Sequence, residues 1–175
     1  MRDEVMEFVN IINSIKESVI KESPDTLFQL FSYDGLGLNE MVSLEGFKND
    51  SEKEKVSEAL RTQIAIEQPQ FVISVCIGLF NPIQFSKKKK DKREVLIIVI
   101  ENNEGVYEIQ NFYINRSKKK ILGLSPAWNY DKATIEENNF TMAGVLCGWY
   151  QSLEEIYEYI RQGQIKASRE GFSFN

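Results

Sequence analysis

The chain has 175 residues and a net charge of −5, and 42% of its residues are hydrophobic. This length and composition are typical of one globular domain, which we place over residues 1–175. The chain contains no histidine, which excludes Ser-His-Asp and Cys-His catalysis as well as metal sites built on histidine.

The start of the chain predicts a helix followed by a β-hairpin. Apolar residues three and four positions apart predict an amphipathic helix over 4–22, which ends before Pro24. Strand patterns over 26–33 and 36–44 flank the pair Asp34-Gly35. We expect this pair to form a two-residue hairpin turn, because glycine adopts positive φ at little cost.

A second helix and a buried strand come next. Ser51 and Glu54 have the spacing of a capping box, in which the serine accepts from the third amide of the helix and the glutamate reaches back to the cap. This pattern predicts a helix over 51–67. The nearly continuous apolar run 71–80 is short enough for a strand and predicts one that is covered on both faces.

The most pronounced pattern in the chain is a long hairpin. An apolar, β-branched run over 94–101 is followed by turn residues and then by an aromatic-rich run over 106–115. The first of these runs is also expected to be covered on both faces. A short strand over 121–124 follows the hairpin.

The end of the chain predicts one more helix, over 152–162, which a second capping box opens at Ser152. We expect the tail, 168–175, to fray. The whole order predicts the α+β class: a mostly antiparallel sheet of five or six strands packed with about three helices.

Basic residues gather on both sides of the long hairpin. One cluster precedes its first strand and the other follows its second, so antiparallel pairing brings both to the open end. Together they hold ten of the 21 lysines and arginines: Lys87, Lys88, Lys89, Lys90, Lys92, Arg93, Arg116, Lys118, Lys119 and Lys120. Such a positive patch favours an anionic partner, either nucleic acid or an acidic protein surface. The alternative is that these lysines only solvate two exposed loops.

The sequence favours a binding or interaction protein without a cofactor over an enzyme. It has no histidine, no phosphate-binding glycine loop and no cysteine cluster for a metal. The alternative is a metal-dependent, nuclease-like enzyme. In that interpretation Asp91 and Glu108 hold a divalent cation and Gln110 orients the attacking water. Polar residues on the solvated face of a strand produce the same pattern.

Three further expectations concern surroundings and partners. The N-terminus turns acidic before any apolar stretch, and no apolar run approaches the roughly 20 residues that span a bilayer, so we expect a cytoplasmic protein without a membrane partner. Cys76 and Cys147 lie in apolar sequence, which favours two free thiols over a disulfide. The Trp- and Tyr-rich segment 125–150 offers anchors for a symmetric contact, so we expect a homo-oligomer.

The element order over 24–124 and the segment Arg93-Glu94-Val95-Leu96-Ile97-Ile98-Val99-Ile100 resemble small uncharacterised bacterial and phage proteins. In those proteins a charged strand of the Arg/Lys-Glu-Val-Leu type also follows a loop. The resemblance implies a single α+β unit, and no functional family or site comes with it.

Overall fold

The computed structural model describes residues 2–45, 48–80, 93–102, 105–127, 165–168 and 171–174. These ranges contain two helices and eight strands. In chain order they are α1 (Arg2–Glu22), β1 (Phe28–Tyr33), β2 (Leu38–Leu44), α2 (Asp50–Glu67), β3 (Phe71–Phe80), β4 (Arg93–Asn102), β5 (Gly105–Ser117), β6 (Lys120–Pro126), β7 (Ile165–Ser168) and β8 (Gly171–Phe174).

Strands β1 to β6 form one antiparallel sheet in the order β2-β1-β3-β4-β5-β6, and β7 pairs with β8 separately. Short connections make β1–β2, β4–β5 and β5–β6 hairpins, which is why their pairing is antiparallel. The α+β class and the antiparallel six-stranded sheet are therefore confirmed. The third expected helix, 152–162, lies outside the described residues.

Helix α1 covers one face of the sheet. Its buried residues Phe8, Ile12, Ile15 and Val19 follow the three- and four-residue steps of the sequence pattern. The core that they share with the central strands includes Ile73, Val75, Leu96, Ile98, Ile100, Phe112, Ile114 and Ile121. The helix runs along the sheet, so one end of α1 lies near β1 and β3 and the other lies near β6.

Helix α2 packs on the opposite face, over β1 and β3. Its residues Leu60 and Ile64 contact a second buried cluster that contains Phe28, Leu30 and Val72. Neighbouring residues of β3, and likewise of β4, are buried although they point to opposite faces. The prediction that these two strands are covered on both faces is confirmed.

The start of α2 differs from the expected capping box. Asn49, not Ser51, is the N-cap, and its Oδ1 accepts from the amide of Glu52 at 2.8 Å. The carboxylate of Glu52 in turn accepts from the amide of Lys48 at 2.6 Å. Asparagine caps a helix at least as well as serine, and this start places Asp50 and Glu52 at the positive end of the helix dipole.

The first hairpin also differs from expectation, and the tail contains a described strand. The β1–β2 loop has four residues, Asp34 to Gly37, because Asp34 Oδ1 accepts from the amides of Leu36 at 2.9 Å and Gly37 at 3.2 Å. Gly35 does have a positive φ, 88°. The tail over 168–175, expected to fray, contains β8, which pairs with β7. Neither described helix is long and apolar enough to cross a membrane.

Candidate functional site

The open end of the β4–β5 hairpin is the candidate site that the sequence predicts. Val95 lies opposite Tyr113, so the first residue of β4, Arg93, lies beside the end of β5. The turn Lys118-Lys119 then joins β5 to β6 at the same end of the sheet. The structure thus brings together Arg93, Arg116 and residues 118–120. Five residues of the predicted patch, Lys87, Lys88, Lys89, Lys90 and Lys92, lie outside the described residues.

Arg116 uses its guanidinium inside the protein. Its Nε and Nη2 donate to the two carboxylate oxygens of Glu94 at 2.9 and 3.3 Å. Nη1 donates to the carbonyls of Ser23 and Lys119, and Nη2 donates to that of Pro24. A guanidinium has five N–H donors, and all five are engaged. Arg116 therefore positions the surrounding chain and has no donor left for a partner.

These bonds fix the turn after α1 against the β5–β6 turn. Ser23, which follows α1 with a φ of 49°, adds a second link, since its Oγ accepts from the amide of Ile121 at 2.9 Å and donates to Ile20. The end of the sheet is consequently held by contacts from α1, β4, β5 and β6. These contacts fix the position of the backbone that carries the exposed lysines of this end.

The lysines of the β5–β6 turn face solvent. Lys118, Lys119 and Lys120 are exposed, and no ion pair joins them to another described residue. The acids that the structure describes in ion pairs at this end, Glu94 and Asp25, both pair with Arg116. The three lysines thus keep their positive charge without a described counter-ion.

Two further features shape this positive surface. Lys118 has a φ of 54°, a left-handed conformation that is unfavourable for a residue with a Cβ and is often found where function holds the backbone. Exposed Arg93 lies over the ring of Tyr113, with 5.1 Å between its guanidinium carbon and the ring centroid. This stacking keeps the Arg93 side chain at the sheet surface while leaving its charge near water.

The residues of the nuclease-like alternative lie away from this end. Glu108 is opposite Ile100, which is seven residues or about 23 Å along β4 from Arg93. Gln110 Nε2 donates to Glu108 Oε1 at 2.6 Å, on the face that α1 covers. No cluster of three potential metal ligands occurs within the described part of the chain. Asp91 lies outside it, so the arrangement of the three residues stays a prediction.

A buried glutamate on β4 was not foreseen from the sequence. Glu101 is only 2% exposed, its Oε2 has no hydrogen-bond partner among the described residues, and burial raises its pKa to about 8. Ser74, 1% exposed and likewise without a described partner, lies on β3 two residues from Val72, the residue that pairs with Glu101. Strand alternation was the available signal, because Glu101 shares a face with buried Val95 and Val99.

Neither the buried carboxyl of Glu101 nor the half-buried thiol of Cys76 offers an ionised reactive group at neutral pH. Glu101 and Ser74 are closed off from solvent, so no substrate reaches them. Cys76 is a free thiol, and burial raises its pKa to about 11, which keeps it protonated at neutral pH. Its predicted companion, Cys147, lies outside the described residues.

No protein-family model, no curated protein and no solved structure matches this chain. Similarity to known proteins therefore assigns no function to this chain.

Proposed function

We propose that this protein is a non-catalytic binding protein that docks an anionic partner at the open end of the β4–β5 hairpin. The exposed turn Lys118-Lys119 with neighbouring Lys120 is the observation that carries the proposal. We call these three residues the turn lysines. Their charges have no counter-ion among the described residues, so they are available to attract a polyanion, with a strength that falls as salt rises.

The proposal is supported by the different roles of the basic residues at this end: Arg116 is engaged inside the protein, whereas the turn lysines and Arg93 are exposed. Arg116 holds the end of the sheet together and pairs closely with Glu94, so its charge offsets that of the nearest described acid and the turn lysines are left without an ion-pair partner among the described residues. Arg93 adds a further exposed positive charge at this end. In the sequence, the five lysines between positions 87 and 92 directly precede Arg93, and we propose that they extend the same surface.

The chemistry of the partner follows from the type of contact. Lysine ammonium groups act as point charges and carry little geometric information, so they suit phosphate oxygens or clustered carboxylates. Nucleic acid and an acidic protein surface both provide such groups. On duplex DNA, each phosphate that is neutralised steepens the logarithmic salt dependence of binding by about 0.9.

The test compares two double variants that change net charge equally. Lys119→Ser/Lys120→Ser removes two turn lysines, and Lys48→Ser/Lys55→Ser removes two exposed lysines elsewhere. Binding to a DNA duplex, a single-stranded RNA and an acidic peptide is measured at about 50 and 200 mM salt. We expect the turn variant to bind DNA or RNA more weakly and with a salt slope reduced by about one to two, while the control keeps both properties.

The same measurement distinguishes nucleic acid from an acidic protein as the partner, and it includes outcomes that would contradict the proposal. Loss confined to the acidic peptide, with a slower association rate, identifies an acidic protein as the partner. A variant with Lys87–Lys90 changed to Ser measures how far the surface extends along the chain. Equal loss in the turn variant and the control, or no binding to any probe by the unmodified protein, would contradict the proposal.

Two other predictions from the sequence remain to be tested in solution. For the nuclease-like alternative, cleavage of DNA or RNA with Mg²⁺ or Mn²⁺ should vanish in Glu108→Gln if the carboxylate holds the metal. Comparison with that variant is essential because contaminating nucleases also cleave. The expected homo-oligomer is tested by sedimentation, where a species of the 20.3 kDa chain mass at high concentration excludes it.

A further inference from the structure

A cavity of about 270 Å³ opens at the other end of the sheet, far from the turn lysines. It lies between α1 and the ends of β1 and β3, on the face that α1 covers. Tyr33 pairs with Phe71 at this end, whereas Phe80 and Arg93 mark the opposite end of β3 and β4. The lining residues are Glu7, Phe8, Tyr33, Gly35, Gln70 and Phe71.

The floor of the cavity is aromatic. The rings of Phe8 and Phe71 meet edge to face at a centroid distance of 4.8 Å, and Tyr33 lies 5.8 Å from Phe8. Phe8 and Tyr33 are buried and Phe71 is half-buried, so these rings are fixed by their packing and present a small apolar area to the cavity. A volume below that of drug-sized ligand sites suits a group of side-chain size.

The rim of the cavity is polar and held in place by the backbone. The amide of Gln70 donates to the carbonyl of Tyr33 at 2.9 Å, which fixes the entry to β3 beside the first hairpin. Gly35 has a φ of 88°, and a Cβ at this position would come within 3.0 Å of the Gln70 side-chain nitrogen. A residue larger than glycine would therefore both strain this loop and crowd the rim.

The charge of the lining is negative. Among the described residues that line the cavity, Glu7, exposed at the rim, is the one acidic residue, and none is basic. The side-chain amide of Gln70 adds a neutral group that has an acceptor oxygen and an NH₂ donor. An aromatic base below a carboxylate and an amide oxygen combines apolar contact with acceptors for N–H groups, which is the complement of an organic cation.

We propose that this cavity binds an organic cation of side-chain size, a guanidinium or alkylammonium group on a short apolar stem. The stem packs on the aromatic floor, and the cationic head pairs with the Glu7 carboxylate at the rim. This site is separate from the anionic partner of the proposed function, because it lies at the other end of the sheet and uses the opposite charge.

The test titrates the full chain with methylguanidinium and n-butylammonium and follows the backbone amide NMR signals of Phe8, Gly35 and Phe71. We expect saturable shifts with dissociation constants in the millimolar range. The neutral isosteres N-methylurea and n-butanol should bind several-fold more weakly. Glu7→Gln should weaken cation binding by about twofold to fivefold, the range that corresponds to an exposed ion pair.

Glu17→Gln is the matched control, because Glu17 is an exposed glutamate on the same helix, away from the cavity. It should leave cation binding unchanged. If a short arginine peptide binds more tightly than methylguanidinium, the natural ligand is an arginine side chain of a partner protein. If the two bind with equal affinity, the natural ligand is a free organic cation. Equal binding of cations and isosteres, no saturable shift, or the same affinity in Glu7→Gln as in the unmodified chain would overturn the proposal. None of these outcomes depends on the turn lysines.

Discussion

The guanidinium of Arg116 and the carboxylate of Glu94 form a two-pronged ion pair across neighbouring strands, with Nε 2.9 Å from Oε2. The side chains are 12% and 28% exposed, and the remaining donors of Arg116 bind the carbonyls of Ser23, Pro24 and Lys119. One side chain thereby joins the turn after α1 to β4, β5 and the β5–β6 turn.

We expect Arg116→Met to destabilise the protein by about 2–4 kcal/mol, because it leaves Glu94 without its partner and three carbonyls without a donor. Arg116→Lys should recover only part of this loss, since an ammonium cannot reproduce the five-donor geometry. Urea unfolding measures both variants. Exposed Lys119→Met is the control, with an expected change within about 0.5 kcal/mol. A loss of that same small size in Arg116→Met would show that the network is unimportant for stability.

The N-cap of α2 gives a second prediction. Asn49→Ala removes the side-chain oxygen that accepts from the Glu52 amide, so it should cost about 1 kcal/mol of stability. Ser51→Ala should change stability by less than about 0.5 kcal/mol, because Ser51 lies within the first turn and is exposed. Thermal or urea unfolding of the two variants distinguishes the caps. The reverse order of effects would place the cap at Ser51, as the sequence pattern alone suggested.

The fold follows from patterns that are local in sequence. Helical periodicity and strand alternation predicted α1, α2 and β1 to β6 with ends that differ by only a few residues, since burial on one face or on both imposes those patterns. The cap of α2 was misplaced because two competent capping residues lie two positions apart. Which of them caps depends on how the chain arrives from β2, and local spacing does not encode that path.

The roles of individual charges were harder to predict. Arg116 appeared in the sequence as part of a basic patch, but its partners Glu94 and Pro24 are 22 and 92 positions away, so no local pattern reveals them. Glu101 is the opposite case. Glu101 is an even number of positions from Val95 and Val99, so it shares a sheet face with these buried valines. A charged residue among buried positions could therefore have been recognised from the sequence. The position of Glu7 at the rim of a cavity could not be predicted, because the residues that line this cavity come from α1 and from the ends of β1 and β3.

The turn residue Lys118 gives a third prediction, which separates backbone strain from charge. Lys118→Gly should leave stability unchanged or raise it by up to about 1 kcal/mol, because glycine adopts a φ of 54° without a Cβ clash. Lys118→Val should lower stability by about 1 kcal/mol or more, since a β-branched residue is poorly tolerated there. Both variants lose the same charge. Any anion binding should therefore weaken equally in the two, and unequal weakening would mean that turn geometry contributes directly.

The last prediction concerns the pH dependence that Glu101 imposes. Burial raises the pKa of this carboxyl from 4.5 to about 8 in the folded protein, so the folded state retains a proton that the unfolded chain has already released. The contribution of Glu101 is therefore fully present below about pH 4.5. It is lost as pH rises through about 8, with a slope of at most about 1.4 kcal/mol per pH unit.

Glu101→Gln tests this relationship, because glutamine keeps the shape of the protonated carboxyl and does not ionise. We expect the stability of the unmodified protein to fall between about pH 5 and pH 8 relative to that of Glu101→Gln, so that the variant has its greatest relative advantage near pH 8 and above. Urea unfolding at each pH measures the difference. If the stability of Glu101→Gln instead runs parallel to that of the unmodified protein at every pH, the Glu101 carboxyl is ionised in the folded state and must be stabilised by a partner.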